Sequence, residues 1–140
     1  MHVVDTNVLI YAANAGSPQH GAARNWLTST LTTGETLGLP WVAALGFIRL
    51  TTNPRIMPRP ITVAEAIGAV EAWAAQPNVI FLEPGPRHLS VLGGLLTEAG
   101  AGGNLTADAH IAALALENRC PVVTFDRAIA RFGVRCVVPE

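Results

Sequence analysis

Short unbroken apolar runs, separated by stretches of helical length, constrain this chain more than any other feature. "HVVD", "TLGLP", "NVIFLEP", "PVVTFD" and "VRCVVP" are continuous rather than alternating, so both faces of each strand need cover. Strands of that kind alternating with helices predict a parallel α/β sheet with helices on both sides. The first strand is expected at about 2–5.

Helix signals fill the gaps. Ser17-Pro18 predicts a start, with Ser17 as N-cap and Pro18 in the first turn, and Ala22, Ala23, Trp26, Leu27 and Leu31 form one face. "WVAALGFIRLTT" reads as a helix ended by "NPRIMPRP", whose three prolines stop regular structure. "TVAEAIGAVEAWAAQP" opens with a capping box, Thr62 and Glu65, and Ile67, Val70, Trp73 and Ala74 are its predicted buried stripe. "RHLSVLGGLLTEAG" is a further helix, and "AGAGGNLTADAHIAALALENRC" is a glycine-rich loop entering an alanine-rich one.

With 140 residues, the chain is expected to be one domain, 1–140. Half of it is hydrophobic and only 14% charged, so some apolar surface is expected to await a partner. No run approaches the ~20 apolar residues of a membrane helix, and the start lacks a signal-peptide pattern, which together predict a cytoplasmic protein with no membrane partner. Cys120 and Cys136 fit neither a disulfide framework nor a zinc motif and read as core thiols.

Only three of the ten acidic residues are aspartates: Asp5, Asp108 and Asp126. Asp5 and Asp126 each end an apolar strand, and Asp108 lies in the first turn of the alanine-rich helix, on the face of Ile111, Ala112 and Ala115. In a parallel sheet the carboxyl ends of the strands form the ligand crevice. Three carboxylates converging there repel one another and raise a pKa unless a cation neutralises them. Oxygen ligands without histidine or thiolate favour Mg²⁺ or Mn²⁺, which assist phosphodiester hydrolysis. Aspartate is equally suited to capping helices and turns. Thr6, Asn7 and Thr124 are candidates to orient the carboxylates or water.

"VVDTNVLIYA", "ADAHIAALALENRCPVVTFDRAIARF" and the order of elements between them resemble a PIN-domain ribonuclease of the VapC type over essentially the whole chain. The resemblance implies a three-layer α/β/α fold with a parallel sheet of about five strands, metal-dependent endoribonuclease activity, a homodimer and a cognate VapB-type antitoxin. Asp5, Asp108 and Asp126 match the family's first, third and fourth acids. The second, usually a glutamate three residues before an arginine, is Gly46 here, ahead of Arg49. Glycine costs a helix about 1 kcal/mol against alanine, so the substitution is not a stabilising one. Three acids predict weaker or single-metal binding, with water in the vacated position. Asn104 is a further candidate to orient a ligand.

All nine basic residues are arginine, whose planar fork suits phosphate. Arg49, Arg55 and Arg59, with no acid among them, are the candidate RNA rim; Arg127 and Arg131 follow Asp126. His20, His88 and His110 read as surface or structural. No base-reading motif or aromatic platform is evident, so the RNA cut is not specified. The absence of lysine argues against a haloacid-dehalogenase-like phosphatase and a P-loop NTPase. The alternative function is a degenerate PIN module that binds RNA or metal without cleaving, the usual second acid being Gly46.

Overall fold

The computed structural model describes all 140 residues. Five strands, β1 (His2–Val4), β2 (Leu37–Pro40), β3 (Val79–Leu82), β4 (Val122–Val123) and β5 (Cys136–Val137), pair in the order β3-β2-β1-β4-β5, all parallel. The expected alternation is therefore present, with strands short enough that each presents only one or two residues to each face. Six α-helices cover the sheet: α1 (Thr6–Ala13), α2 (His20–Thr33), α3 (Trp41–Thr51), α4 (Val63–Ala74), α5 (His88–Ala99) and α6 (Thr106–Glu117).

Side-chain alternation along the strands divides the interior in two. Val4, Leu37, Leu39, Val79 and Val123 pack on one face against α1 to α4, around Leu9, Leu27, Phe47 and Val70. Val3, Leu82 and Val122 pack on the other against Ile111, Ala112, Leu114 and Ala115 of α6, with Ile129 and Phe132. This is the three-layer arrangement. Gly38 on β2 is required by that second face, because a Cβ there would lie 2.5 Å from Leu82 Cδ1. No helix is long and apolar enough to cross a membrane.

Three local expectations are corrected. Ser17 is not an N-cap: α2 begins at His20 with Gln19 as its cap residue, and the Ser17 carbonyl, not its hydroxyl, accepts from His20 N–H. Pro18 lies in the preceding turn instead. On α4 the buried residues are Ala66 and Val70, while Ile67 is 39% exposed. The apolar residues of that helix run almost all round it, so period alone could not orient it. The first strand ends one residue early, since Asp5 already caps α1. Thr62 does cap α4, its hydroxyl accepting from Glu65 N–H at 3.1 Å. Cys120 and Cys136 are free thiols, half-buried, and burial pushes both upward in pKa.

Candidate metal centre

β1 and β4 are neighbours at the centre of the sheet and run the same way, so the residues after them emerge side by side. Asp5 follows β1 and is buried. Its Oδ1 accepts from Thr6 N–H at 2.7 Å, which caps α1. Its Oδ2 accepts from the Thr124 hydroxyl at 2.7 Å and from Asn7 Nδ2 at 3.2 Å. The fully buried Thr124 oxygen in turn accepts from Asn7 Nδ2 and from Asp126 N–H, while Asn7 Oδ1 accepts from Phe125 N–H. Asn7 and Thr124 thus tie the end of β1 to the turn that carries Asp126.

Asp126 is exposed and its Oδ1 caps a short 3-10 helix, Arg127–Phe132, by accepting from Ala128 N–H at 2.9 Å. The capping reading of strand-end aspartates therefore holds for Asp5 and Asp126 alike, and it leaves Asp126 Oδ2 uncommitted. Asp108 is half-buried in the first turn of α6, where a carboxylate also complements the helix dipole.

Electrostatics link the three. Asp5 is raised above the ordinary carboxylate range chiefly by burial and additionally by Asp126, with the bonds from Thr124 and Thr6 opposing. Asp108 is raised by burial, then by Asp5 and Asp126, and lowered by Arg131. The carboxylates are thus close enough to repel one another, though they do not form a closed cluster of three ligands. Hard oxygen donors without nitrogen or sulfur are the donor set that Mg²⁺ or Mn²⁺ takes, and mutual repulsion is what a cation would relieve.

The other candidates divide. Thr6, Asn7 and Thr124 stand in the network around Asp5, whereas Asn104 is exposed in a 3-10 turn, Gly103–Leu105, and bonds to none of the aspartates. Arg49, Arg55 and Arg59 are exposed, and no arginine is paired with an acid, because both close ion pairs are histidine to glutamate. His20 is structural, its Nδ1 on the Tyr11 carbonyl at 2.8 Å.

Sequence reasoning missed a second polar cluster. His88 is buried between α5 and α6, with Nδ1 on Glu117 Oε2 at 2.9 Å and Nε2 on His110 Nδ1 at 2.8 Å. The pairing spans 29 residues and has no local signal. A second omission is an aromatic stack, Trp41 on Phe81 at 4.1 Å and 11°, in a chain where no platform was expected. A cavity of about 560 Å³ is walled by Glu83, Arg87, Glu117 and Arg119 and includes none of the aspartates.

The family model described as PIN domain matches residues 2–134. Ribonuclease VapC37 of Mycobacterium tuberculosis is 42% identical over 136 residues, 96% of this chain and 94% of that protein. Ribonuclease VapC25 of the same organism is 41% identical over 140 residues, 99% of each. Among solved structures, a chain of VapBC2 from Rickettsia felis bound to a DNA fragment from their promoter shares the fold, with a TM-score of 0.71 and 15% identity over 99% of this chain and 98% of that one. A chain of FitAB bound to the IR36 DNA fragment does so with a TM-score of 0.70 and 16% identity over 99% and 95%. Near-complete coverage at about 40% identity, on a sheet that sets Asp5 beside Asp126, establishes that the chain belongs to the PIN-domain family and, within it, to the VapC ribonucleases.

Proposed function

We propose that the chain is the toxin of a VapBC-type toxin–antitoxin pair, an endoribonuclease dependent on Mg²⁺ or Mn²⁺ held by Asp5, Asp108 and Asp126. The observation that carries the reading is the placement of the chain's only three aspartates at one edge of the sheet, where Asp126 raises Asp5 and both raise Asp108. A bound divalent cation there supplies polarisation of a phosphoryl oxygen and a lowered water pKa.

The chain's own groups prepare the site. Thr124 and Asn7 hold Asp5 in one orientation and stabilise its ionised form. Asp126 offers its free oxygen from the capped turn. Arg49, Arg55 and Arg59, unpaired and exposed, position the RNA backbone, and Arg131 sets a positive charge beside Asp108. Exposed apolar side chains, among them Trp41, Leu45 at 58% and Leu89 at 80%, support a homodimer and an antitoxin contact. The cytoplasm is the compartment proposed.

The test is cleavage of total RNA by antitoxin-free protein in Mg²⁺ or Mn²⁺, beside an EDTA control and Asp126→Asn. Asparagine also caps helices, so the variant is expected to stay folded while metal-dependent cuts disappear. Undiminished cleavage by Asp126→Asn overturns the site. Failure of folded wild-type protein to cut any RNA favours the binding-only alternative.

A further inference from the structure

Gly46 lies in the middle of α3 with no unusual backbone angle, so its reason must be space. A Cβ built there would stand 2.9 Å from Thr6 Cγ2, 3.1 Å from Thr6 Oγ1 and 3.6 Å from Thr6 Cβ. Thr6 is the first residue of α1, directly after Asp5, and its N–H donates to the capping Asp5 carboxylate. The place expected to be vacated to water is instead filled, at its root, by a threonine side chain.

We infer that Thr6 and Gly46 are a matched pair that lets α1 and α3 close on each other and keeps a fourth carboxylate out of the cation site. The inference rests on the metal-site reading above. Rotation of Thr6 cannot clear the way: two of its three Cβ substituents are heavy atoms facing Gly46, and each staggered alternative leaves one of them there. Serine, with one heavy substituent, can turn it aside. Thr6 is therefore a positioning residue, acting on the acid complement of the site through the backbone approach it enforces.

Two measurements decide it. Helix propensity favours alanine over glycine, so in an unobstructed site Gly46→Ala would raise Tm. Here Gly46→Ala is expected to lower Tm in the wild-type background and to raise it in the Thr6→Ser background, a reversal of sign in a double-mutant cycle. A rise in both backgrounds overturns the pairing. The second readout is Mn²⁺ affinity by calorimetry. Because ligand charge tunes divalent affinity, Gly46→Glu with Thr6→Ser should bind about tenfold tighter than Thr6→Ser alone, and Gly46→Glu alone should gain less than about threefold. Equal gains in both backgrounds also overturn it. Absence of Mn²⁺ binding in every protein, wild type included, defeats the metal-site reading instead, and the metal-free Tm cycle then decides the pairing by itself.

Discussion

The sheet edge, with Asp5 buried and Asp108 half-buried beside the exposed Asp126, and the cluster of His88, His110 and Glu117 both withdraw ionisable groups from water, and they solve the problem oppositely. In the α5–α6 cluster one acid serves a pair of bases: Glu117 Oε2 meets His88, whose other nitrogen meets His110. Only Glu117 Oε1 is left without a partner. At the sheet edge the charged groups that act on one another are acids, with Arg131 the opposing charge beside Asp108. A cluster of mixed sign neutralises itself and serves packing; a cluster of one sign stores repulsion that an external cation can release.

Several outcomes would break or sharpen that contrast. The largest effect is on chemistry: Asp126→Asn should reduce cleavage by about 100-fold or more, since even groups behind metal ligands cost 10–100-fold, with little change in Tm. His88→Phe is the reciprocal case. It leaves the half-buried Glu117 without its donor, so it should cost about 1 kcal/mol in urea unfolding, while cleavage per folded molecule is unchanged. A loss of cleavage would join the two regions functionally and end the comparison.

Thr124→Val tests the joint between fold and site. It removes a fully buried hydroxyl that serves Asp5, Asn7 and Asp126, so it should cost both about 1–3 kcal/mol and about tenfold or more in cleavage.

The smallest effect is the pH response. Asp108 is raised by burial and its acidic neighbours, so its contribution to stability is full below its ordinary value near 4 and is lost as pH rises through the raised value. His110 is lowered by burial and by His88, so its contribution is full above its ordinary value near 6.5 and is lost as pH falls through the lowered one. In EDTA, Asp108→Asn should therefore raise Tm at pH 7 but not at pH 3, and His110→Gln should flatten the fall in Tm from pH 7 to pH 5. Thermal scans at the three pH values check both signs, and a Tm increase for Asp108→Asn that persists undiminished at pH 3 would show that charge is not its cause.

The sheet and its acids were legible for one reason: burial on both faces makes a parallel strand a continuous apolar run, and the polar residue that ends it marks the ligand edge. Asp5 and Asp126 announced themselves in that way. What was illegible depends on contacts between distant residues. Thr124 looks like any strand threonine until Asp5, 119 positions away, is seen to receive its hydrogen bond. Gly46 was visible as a departure, yet the cause of the departure is Thr6, 40 positions earlier, through a crossing of helices that no local pattern records. Ile67 and Ala66 changed places because a helix apolar nearly all round carries no orientation of its own.

Thr124 carries a single hydroxyl hydrogen. Its oxygen already receives the Asn7 and Asp126 N–H groups, so that hydrogen has one direction left, toward Asp5 Oδ2. A neutral Asp5 would have to carry its own hydrogen on an oxygen that already faces a donor, Thr124 and Asn7 on one side or the Thr6 N–H on the other. Burial favours such a hydrogen, and the bonds from Thr124 and Thr6 oppose it. Asp108 has no such donors, so burial and its acidic neighbours raise it with only Arg131 opposing, whereas at Asp5 the surrounding hydrogen bonds work against the burial that raises it.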